Sequence, residues 1–304
     1  MPNVNANGIR IEYDTIGSPS APPLLLIMGL GGQLIHWDGG FCRQLADKGH
    51  FIIRFDNRDV GLSTKFDEAG LPEMAKLVES LGQGKAFETP YRLEDMADDA
   101  AGLLDALDIQ KAHICGSSMG GMIAQTLAIR HPERLLSLIS IYSTTGNPDL
   151  PPPQPEGMAA LLTPPPAERQ GFIEYNVKTM KAIAGSGFPF DEPFIRNISA
   201  QAYDRAFYPQ GVGRQMMAVM TQENRKPALA SVTVPTLVIH GTADPLVTAA
   251  HGRDTANAIP GAQLLLVDGL GHELPRIKEP WPQVIDAIAA HTKEAEITAR
   301  HIGG

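Results

Sequence analysis

Residues 113–121 read HICGSSMGG and join a predicted strand, residues 112–115, to a predicted helix, Met119–Arg130. The strand is a continuous apolar run, and apolar side chains recur in the helix at helical spacing. In the turn between them, Ser118 is the centre of a G-x-S-x-G pattern that occurs once in the chain. The central residue of so tight a turn takes a strained backbone conformation, and the flanking glycines relieve the crowding. The pattern therefore predicts that Ser118 is held out from the backbone as a nucleophile.

Continuous apolar runs recur along the chain, as expected of strands that are covered on both faces of a sheet. The predicted strands are residues 24–28, 51–55, 112–115, 136–142, 236–240 and 263–267. Helical patterns separate most of them, at residues 41–48, 93–107, 119–130 and 284–291. An Asn-Gly pair at residues 7–8 predicts an N-terminal hairpin. This alternation predicts an α/β fold with a mostly parallel sheet and helices on both faces.

A long interval without a predicted strand separates residues 142 and 236. A connection of that length should carry structure of its own. Helical patterns occur in it near residues 167–183, 192–206 and 213–224. We therefore expect a helical cap over residues 146–228, inserted into a core that is formed by residues 1–145 and 229–304. A shorter excursion, residues 64–90, contains a helical pattern near residues 72–81.

A serine hydroxyl is a weak nucleophile, so it needs an adjacent base and a carboxylate that orients this base. On a parallel sheet the acid and then the histidine follow the serine along the chain, in loops after later strands. Asp244 lies in a GTADP turn after one predicted strand, and His272 lies in a DGLGHE loop after the last one. Both loops leave the carboxyl edge of the sheet. These residues are predicted to complete a triad with Ser118, and Asp268 and Asp149 are the alternative acids.

An oxyanion hole needs backbone N–H groups that are aimed at the developing negative charge. Met119, the first helical residue after Ser118, should supply one of them, and the helix N-terminus adds a partial positive charge. The second is expected from the glycine-rich turn at residues 28–32, which can bend close to a ligand. Leu30 is the candidate in that turn.

Composition and charge exclude several classes of function. The chain has 25 basic and 34 acidic residues and a formal net charge of -9, without long single-sign runs, which argues against a nucleic acid or an anionic membrane as partner. No apolar run approaches the roughly 20 residues that span a bilayer, and no export signal is evident, so we expect a cytoplasmic protein. The two cysteines, Cys42 and Cys115, are predicted to be core residues. No zinc-site spacing occurs, and neither a metal nor a cofactor is expected.

Five stretches of the chain resemble the α/β-hydrolase superfamily. They are the serine turn at 116–120, MGLG at 28–31, DNRDVGLS at 56–63, HGTAD at 240–244 and GH at 271–272. Within the superfamily, the chain resembles the aclacinomycin methylesterase group of carboxylesterases, because MGLG and RFDNRD, at 54–59, occur together. The resemblance implies cleavage of a small-molecule carboxylic ester through an acyl-enzyme on Ser118. The stretch 56–63 is expected to be a structural turn in which Arg58 pairs locally.

Other activities are compatible with the same residues. A triad of this kind could also hydrolyse lactones or carbon–carbon bonds, or act as a cofactor-free perhydrolase or haloperoxidase. A hormone-receptor-like binding protein with slow or absent turnover is an alternative from a different class. The complete set of Ser118, Asp244 and His272 argues against that alternative. The natural ester and the oligomeric state depend on packing that the sequence does not determine.

Overall fold

Eight strands form one mixed sheet in the computed structural model, which describes residues 2–274 and 278–302. The strands are β1 (Asn3–Ala6), β2 (Ile9–Ile16), β3 (Pro23–Ile27), β4 (Phe51–Phe55), β5 (Ala112–Ser117), β6 (Leu135–Ile141), β7 (Thr236–Gly241) and β8 (Gln263–Val267). Their order across the sheet is β1-β2-β4-β3-β5-β6-β7-β8. The pairs β1–β2 and β2–β4 are antiparallel, and all other neighbours are parallel. The predicted α/β fold with a mostly parallel sheet is confirmed.

Eleven α-helices accompany the sheet within the described residues. They are α1 (Gly39–Asp47), α2 (Met74–Gly82), α3 (Leu93–Ala106), α4 (Met119–Arg130), α5 (Pro155–Leu162), α6 (Arg169–Ile183), α7 (Glu192–Ala206), α8 (Pro209–Met220), α9 (Lys226–Leu229), α10 (Ala249–Ala258) and α11 (Trp281–Ile302). The sequence pattern did not predict α10. Its buried positions are Gly252, Asp254, Thr255 and Ala258. Because this face lacks large apolar side chains, the helix has no visible apolar stripe.

Alternate residues of the central strands pack into two separate cores, one on each face of the sheet. Leu25 and Ile27 of β3 pack with side chains of α3 and α4. Leu24 and Leu26 of the same strand pack with side chains of α1 and α11. All four side chains are fully buried, and burial of each contributes about 1.5–3 kcal/mol. The continuous apolar runs in the sequence follow from this covering of both faces.

Five helices, α5 to α9, lie between β6 and β7, where three helical patterns were predicted. Helix α7 has the predicted bounds, and α6 begins two residues later than predicted, at Arg169. Helix α8 begins at Pro209, four residues before the predicted start, because proline is favoured at the first helical position. The pattern did not predict α5 or the short α9. The division of the chain at residues 146 and 228 stays a prediction.

The turn at residues 56–63 is held by a long-range ion pair, so the expectation that Arg58 pairs locally was wrong. Its Nε and Nη2 atoms donate to the Asp99 carboxylate of α3, at 2.6 and 2.7 Å. Both side chains are buried, and burial of a charge is tolerated when the charge is paired in this way. Sequence spacing gives no sign of a partner that comes from another element.

Both cysteines, Cys42 and Cys115, are free and buried, as predicted. Burial raises the pKa of the Cys42 thiol to about 12 and also raises that of Cys115. Among residues 2–274 and 278–302, no helix is long and apolar enough to cross a bilayer. In the same part of the chain, no group of three or more His, Cys, Asp or Glu side chains could hold a metal ion.

His113 of β5 is fully buried next to a second histidine. Its Nδ1 lies 2.8 Å from Ser137 Oγ, and its ring lies 6.2 Å from that of His50. Burial, together with the nearby charges of His50 and His291, outweighs the Glu296 carboxylate, which lies 3.6 Å from Nε2, and lowers the pKa of His113 from 6.5 to about 3. The folded protein therefore holds this side chain in its neutral form, whereas the unfolded chain binds a proton as the pH falls below 6.5.

We expect the His113→Asn variant to lose less stability in acid than the wild type. Between the unfolded and folded pKa values of His113 the unfolded chain binds more protons, so the free energy of unfolding falls as the pH falls. From pH 6 to pH 5 the wild type should lose about 1 kcal/mol more than the variant. Urea unfolding at pH 7, 6 and 5 measures this difference. Equal pH dependence of wild type and His113→Asn would contradict the prediction.

Candidate active site

Ser118 lies between the end of β5 and the start of α4, with φ 55° and ψ −121°. Helix and sheet approach so closely here that a side chain at Gly116 would clash with the backbone of Gly120. A side chain at Gly120 would clash with the carbonyl of Ile27 in β3. The Ser118 N–H donates to Ile141 O at 2.9 Å, which fixes the strained residue to β6. The two glycines of the pattern are thus required by the close packing of helix on sheet.

The three side chains predicted for a triad lie in one chain of hydrogen bonds. His272 Nε2 lies 2.9 Å from Ser118 Oγ, and His272 Nδ1 lies 2.7 Å from Asp244 Oδ2. A carboxylate accepts hydrogen bonds, so the proton of the neutral ring belongs on Nδ1. Nε2 then has a free lone pair that faces the serine hydroxyl. His272 is only 8% exposed, which limits competition from solvent for this contact.

Asp244 is fixed by backbone donors of its own turn. Its Oδ1 accepts hydrogen bonds from the N–H groups of Leu246 and Val247, both at 2.8 Å. The side chain is fully buried, so these bonds and the one to His272 supply the partners that a buried carboxylate needs. The alternative acids lie elsewhere. Asp268 Oδ1 accepts a hydrogen bond from Thr242 Oγ1 at 2.9 Å, and Asp149 is exposed in a turn.

The sequence did not single out two residues that contact this set of side chains. His240 Nε2 lies 3.8 Å from Asp244 Oδ2 and 2.6 Å from the carbonyl oxygen of Val247. Burial lowers the pKa of His240, so the ring stays neutral and does not compete as a cation for the carboxylate. Tyr142 follows β6 with a φ of 35°, and its ring centroid lies 4.3 Å from that of His272. A spacing pattern cannot reveal either contact, since both depend on how the loops fold.

The glycine-rich turn at residues 28–32 faces Ser118. A Cβ atom at Gly29 would lie 3.1 Å from Ser118 Cβ and 3.7 Å from its Oγ. Two amides of the turn are engaged, because Gly31 N–H donates to Gln215 Oε1 at 2.9 Å and Gly32 N–H donates to Gly29 O at 3.1 Å. The Leu30 N–H has no acceptor within residues 2–274 and 278–302. It is therefore available to a ligand.

Met119 is the first residue of α4. The first N–H groups of a helix have no carbonyl partner within that helix. The Met119 N–H therefore belongs to a helix N-terminus directly beside Ser118, where the helix dipole favours negative charge. The residues proposed from sequence for an oxyanion hole thus lie on the two elements that flank Ser118.

The loop that carries His272 is attached to the end of α6 and to the residues that follow it. His272 N–H donates to Ile183 O at 2.8 Å, and Gly187 N–H donates to Gly269 O at 2.9 Å. The two backbones cross so closely that a Cβ atom at Gly187 would lie 2.5 Å from Gly269 Cα. The buried Glu273 side chain accepts a hydrogen bond from Gly185 N–H at 3.1 Å, and burial raises the pKa of this carboxyl. The end of α6 and the residues after it therefore help to fix the position of His272.

Known proteins resemble the chain along most of its length. The family described as alpha/beta hydrolase fold matches residues 22–275. Rhodomycin D methylesterase DauP of Streptomyces sp. (strain C5) is 32% identical over 97% of this chain and 98% of that protein. 3-Oxoadipate enol-lactonase 2 of Acinetobacter baylyi is 27% identical over 82% of each chain. Among solved structures, a thermophilic esterase from Thermogutta terrifontis superimposes with a TM-score of 0.72 at 21% identity, over 97% of this chain and 99% of that one. The chain therefore belongs to the α/β-hydrolase fold family.

Proposed function

We propose that the protein is a serine hydrolase that cleaves carboxylic esters through an acyl-enzyme on Ser118. The observation that carries the proposal is the chain of hydrogen bonds from Ser118 Oγ through His272 to Asp244, at 2.9 and 2.7 Å. An adjacent base activates the serine, and the carboxylate orients the base. The 32% identity to a methylesterase over nearly the whole chain supports an ester as substrate.

In acylation, His272 Nε2 takes the proton of the Ser118 hydroxyl while Oγ attacks the ester carbonyl carbon. The ring becomes an imidazolium, and the Asp244 carboxylate at Nδ1 stabilises its charge. The imidazolium then gives the proton to the leaving alcohol, and the acyl group stays on Ser118. Deacylation repeats the cycle with water as the nucleophile. The proton moves only between Ser118, His272 and the reactants.

The tetrahedral intermediate places a negative charge on the former carbonyl oxygen. We assign the backbone N–H groups of Leu30 and Met119 as the donors to that oxyanion. Donors that are already in position lower the barrier because no reorganisation is needed as the charge develops. The N-terminus of α4 adds its partial positive charge from the Met119 side.

We propose that residues 146–228 form a cap, inserted into a core of residues 1–145 and 229–304. Contacts of this segment with both catalytic loops support the assignment. His272 N–H bonds to Ile183 O, and Gly31 N–H bonds to Gln215 of α8. A cap in this position would form the wall of the substrate pocket and exclude water from the ester.

A lactone is the second candidate substrate. It is a cyclic ester, so the same attack by Ser118 opens its ring and leaves the alcohol attached to the acyl group. The 27% identity to an enol-lactonase over 82% of the chain supports this candidate. Rates for simple lactones and for open-chain methyl esters, measured with one enzyme preparation, separate the two substrate classes.

Replacement of Ser118 by alanine should abolish hydrolysis of p-nitrophenyl esters. With a series from acetate to decanoate, we expect wild-type turnover and a loss of about 10⁴-fold or more in kcat for Ser118→Ala, because the nucleophile is absent. The matched control is Ser117→Ala, since the Ser117 hydroxyl donates to the sulfur of Met28, at 3.6 Å, and should not affect the chemistry. Absence of wild-type turnover would refute the esterase proposal, and undiminished turnover in Ser118→Ala would refute the assigned nucleophile.

A pair of aspartate variants tests the assigned acid. Asp244→Asn removes the charge that stabilises the imidazolium and should lower kcat by about 10³- to 10⁴-fold. Asp268→Asn changes the alternative acid on the neighbouring loop and should leave kcat near the wild-type value. Steady-state kinetics of both variants with the same p-nitrophenyl ester measure this contrast. A greater loss in Asp268→Asn than in Asp244→Asn would reverse the assignment.

A further inference from the structure

Gln215 of α8 is fully buried and uses both ends of its side-chain amide in contacts with other segments. Its Oε1 accepts a hydrogen bond from Gly31 N–H at 2.9 Å, and its Nε2 donates one to Arg58 O at 2.8 Å. The amide therefore links an inserted helix to the glycine-rich turn beside Ser118 and to the turn at residues 56–63. A rotation of the amide by 180° would set donor against donor and acceptor against acceptor.

The hydrogen bonds of the glycine-rich turn show what Gln215 controls. Gly32 N–H donates to Gly29 O at 3.1 Å, and Gly31 has a φ of 65°, which together are typical of a type II turn over residues 29–32. Types I and II differ by a rotation of the central peptide, between Leu30 and Gly31. Three glycines in four residues leave that rotation almost unhindered. The bond from Gly31 N–H to Gln215 Oε1 selects the type II orientation.

The same two bonds fix Leu30 on both sides. The Leu30 N–H shares a planar trans peptide with Gly29 O, so the bond that Gly29 O accepts sets the direction of this N–H. The following peptide is held by Gln215. Without the bond of Gly31 N–H to Gln215, the turn as a whole could shift relative to Ser118, and the Leu30 N–H would meet the oxyanion in only a fraction of molecules.

Gln215 is itself held in place by the neighbouring ion pair. The Arg214 side chain is 1% exposed and donates to both Asp59 carboxylate oxygens, at 2.7 and 3.0 Å. This pair anchors α8 to the turn at residues 56–63. Since one end of the Gln215 amide bonds to the same turn, its Oε1 has a fixed position relative to Gly31.

We infer that Gln215 is a positioning residue for ester hydrolysis, which holds the turn at residues 29–32 so that the Leu30 N–H meets the oxyanion. The inference rests on the proposed function. Because the oxyanion exists only after attack on the carbonyl, the effect of Gln215 falls on kcat more than on KM. Removal of an oxyanion donor costs roughly 10²- to 10³-fold in kcat, and loss of its positioning should cost about 10- to 100-fold.

The variant Gln215→Met keeps the length of the side chain and removes both hydrogen bonds. Its matched control is Gln125→Met, which changes another fully buried glutamine that bonds to Ser140 and Arg225. We expect kcat to fall about 10- to 100-fold in Gln215→Met with KM changed less than kcat. In Gln125→Met, kcat per folded molecule should stay near the wild-type value. Circular dichroism gives the folded fraction of each variant.

A substrate pair separates positioning from simple loss of folded protein. The p-nitrophenyl ester with the highest wild-type rate is compared with its thiono analogue, in which sulfur replaces the carbonyl oxygen and accepts hydrogen bonds weakly. Loss of the oxyanion contact should lower the ratio of kcat/KM for ester over thionoester in Gln215→Met. Partial unfolding lowers both rates equally and leaves the ratio unchanged. If Gln215→Met yields no folded protein, Gln215→Leu is measured instead, and its ratio should also fall because no acceptor for Gly31 N–H remains.

An unchanged ratio in Gln215→Met would overturn the inference, as would an equal fall of the ratio in Gln125→Met. For Gln215→Leu, an unchanged ratio would do the same. Failure of the proposed function has a different signature, because the wild type itself would then hydrolyse neither substrate.

Discussion

The close packing of α4 on the sheet at Ser118 is the constraint on which the rest of the site depends. Side chains at Gly116 or Gly120 would clash with backbone, so the turn between β5 and α4 has little freedom. Within it, Ser118 takes a φ of 55°, a conformation that costs of order 1–3 kcal/mol for a non-glycine residue. The hydrogen bonds of its N–H to Ile141 O and of its carbonyl to Ser143 Oγ hold this conformation. The position of the Ser118 hydroxyl is therefore fixed, and His272 can lie within hydrogen-bond distance of it.

Parallel pairing of the strands brings the other side chains to that hydroxyl. Because β5, β7 and β8 run in the same direction, the loops after them emerge at one edge of the sheet. Two buried side chains that meet at this edge, Asp244 and His240, differ in their surroundings. Asp244 accepts three hydrogen bonds in the interior, whereas burial lowers the pKa of the neighbouring His240 and so keeps its ring neutral. A single carboxylate is thus directed at His272 without a competing cation beside it.

The helices between β6 and β7 contact both loops that flank Ser118. Ile183, the last residue of α6, bonds to the backbone of His272, and α8 bonds through Gln215 to the glycine-rich turn. Where such a hydrogen bond is buried, loss of one partner leaves the other unsatisfied at a cost of about 1–3 kcal/mol. The ion pair of Arg214 with Asp59 adds a charged anchor. The helices between β6 and β7 therefore restrain the site from one side as the sheet does from the other.

The sequence by itself determined the α/β fold, the tight turn at Ser118 and the order of the later acid and histidine loops. These follow from local patterns, since apolar runs, glycine spacing and turn residues act over a few positions. It could not determine that Arg58 pairs with Asp99, that α10 forms without an apolar stripe, or that Tyr142 packs on His272. The contacts of Arg58 and Tyr142 join residues far apart in the chain, and no spacing rule relates them. Helix α10 buries only small and polar side chains, so no apolar pattern marks it in the sequence. Tertiary structure also decided which of the candidate carboxylates meets His272, because only folding of the loops brings Asp244 within 2.7 Å and directs Asp268 to Thr242.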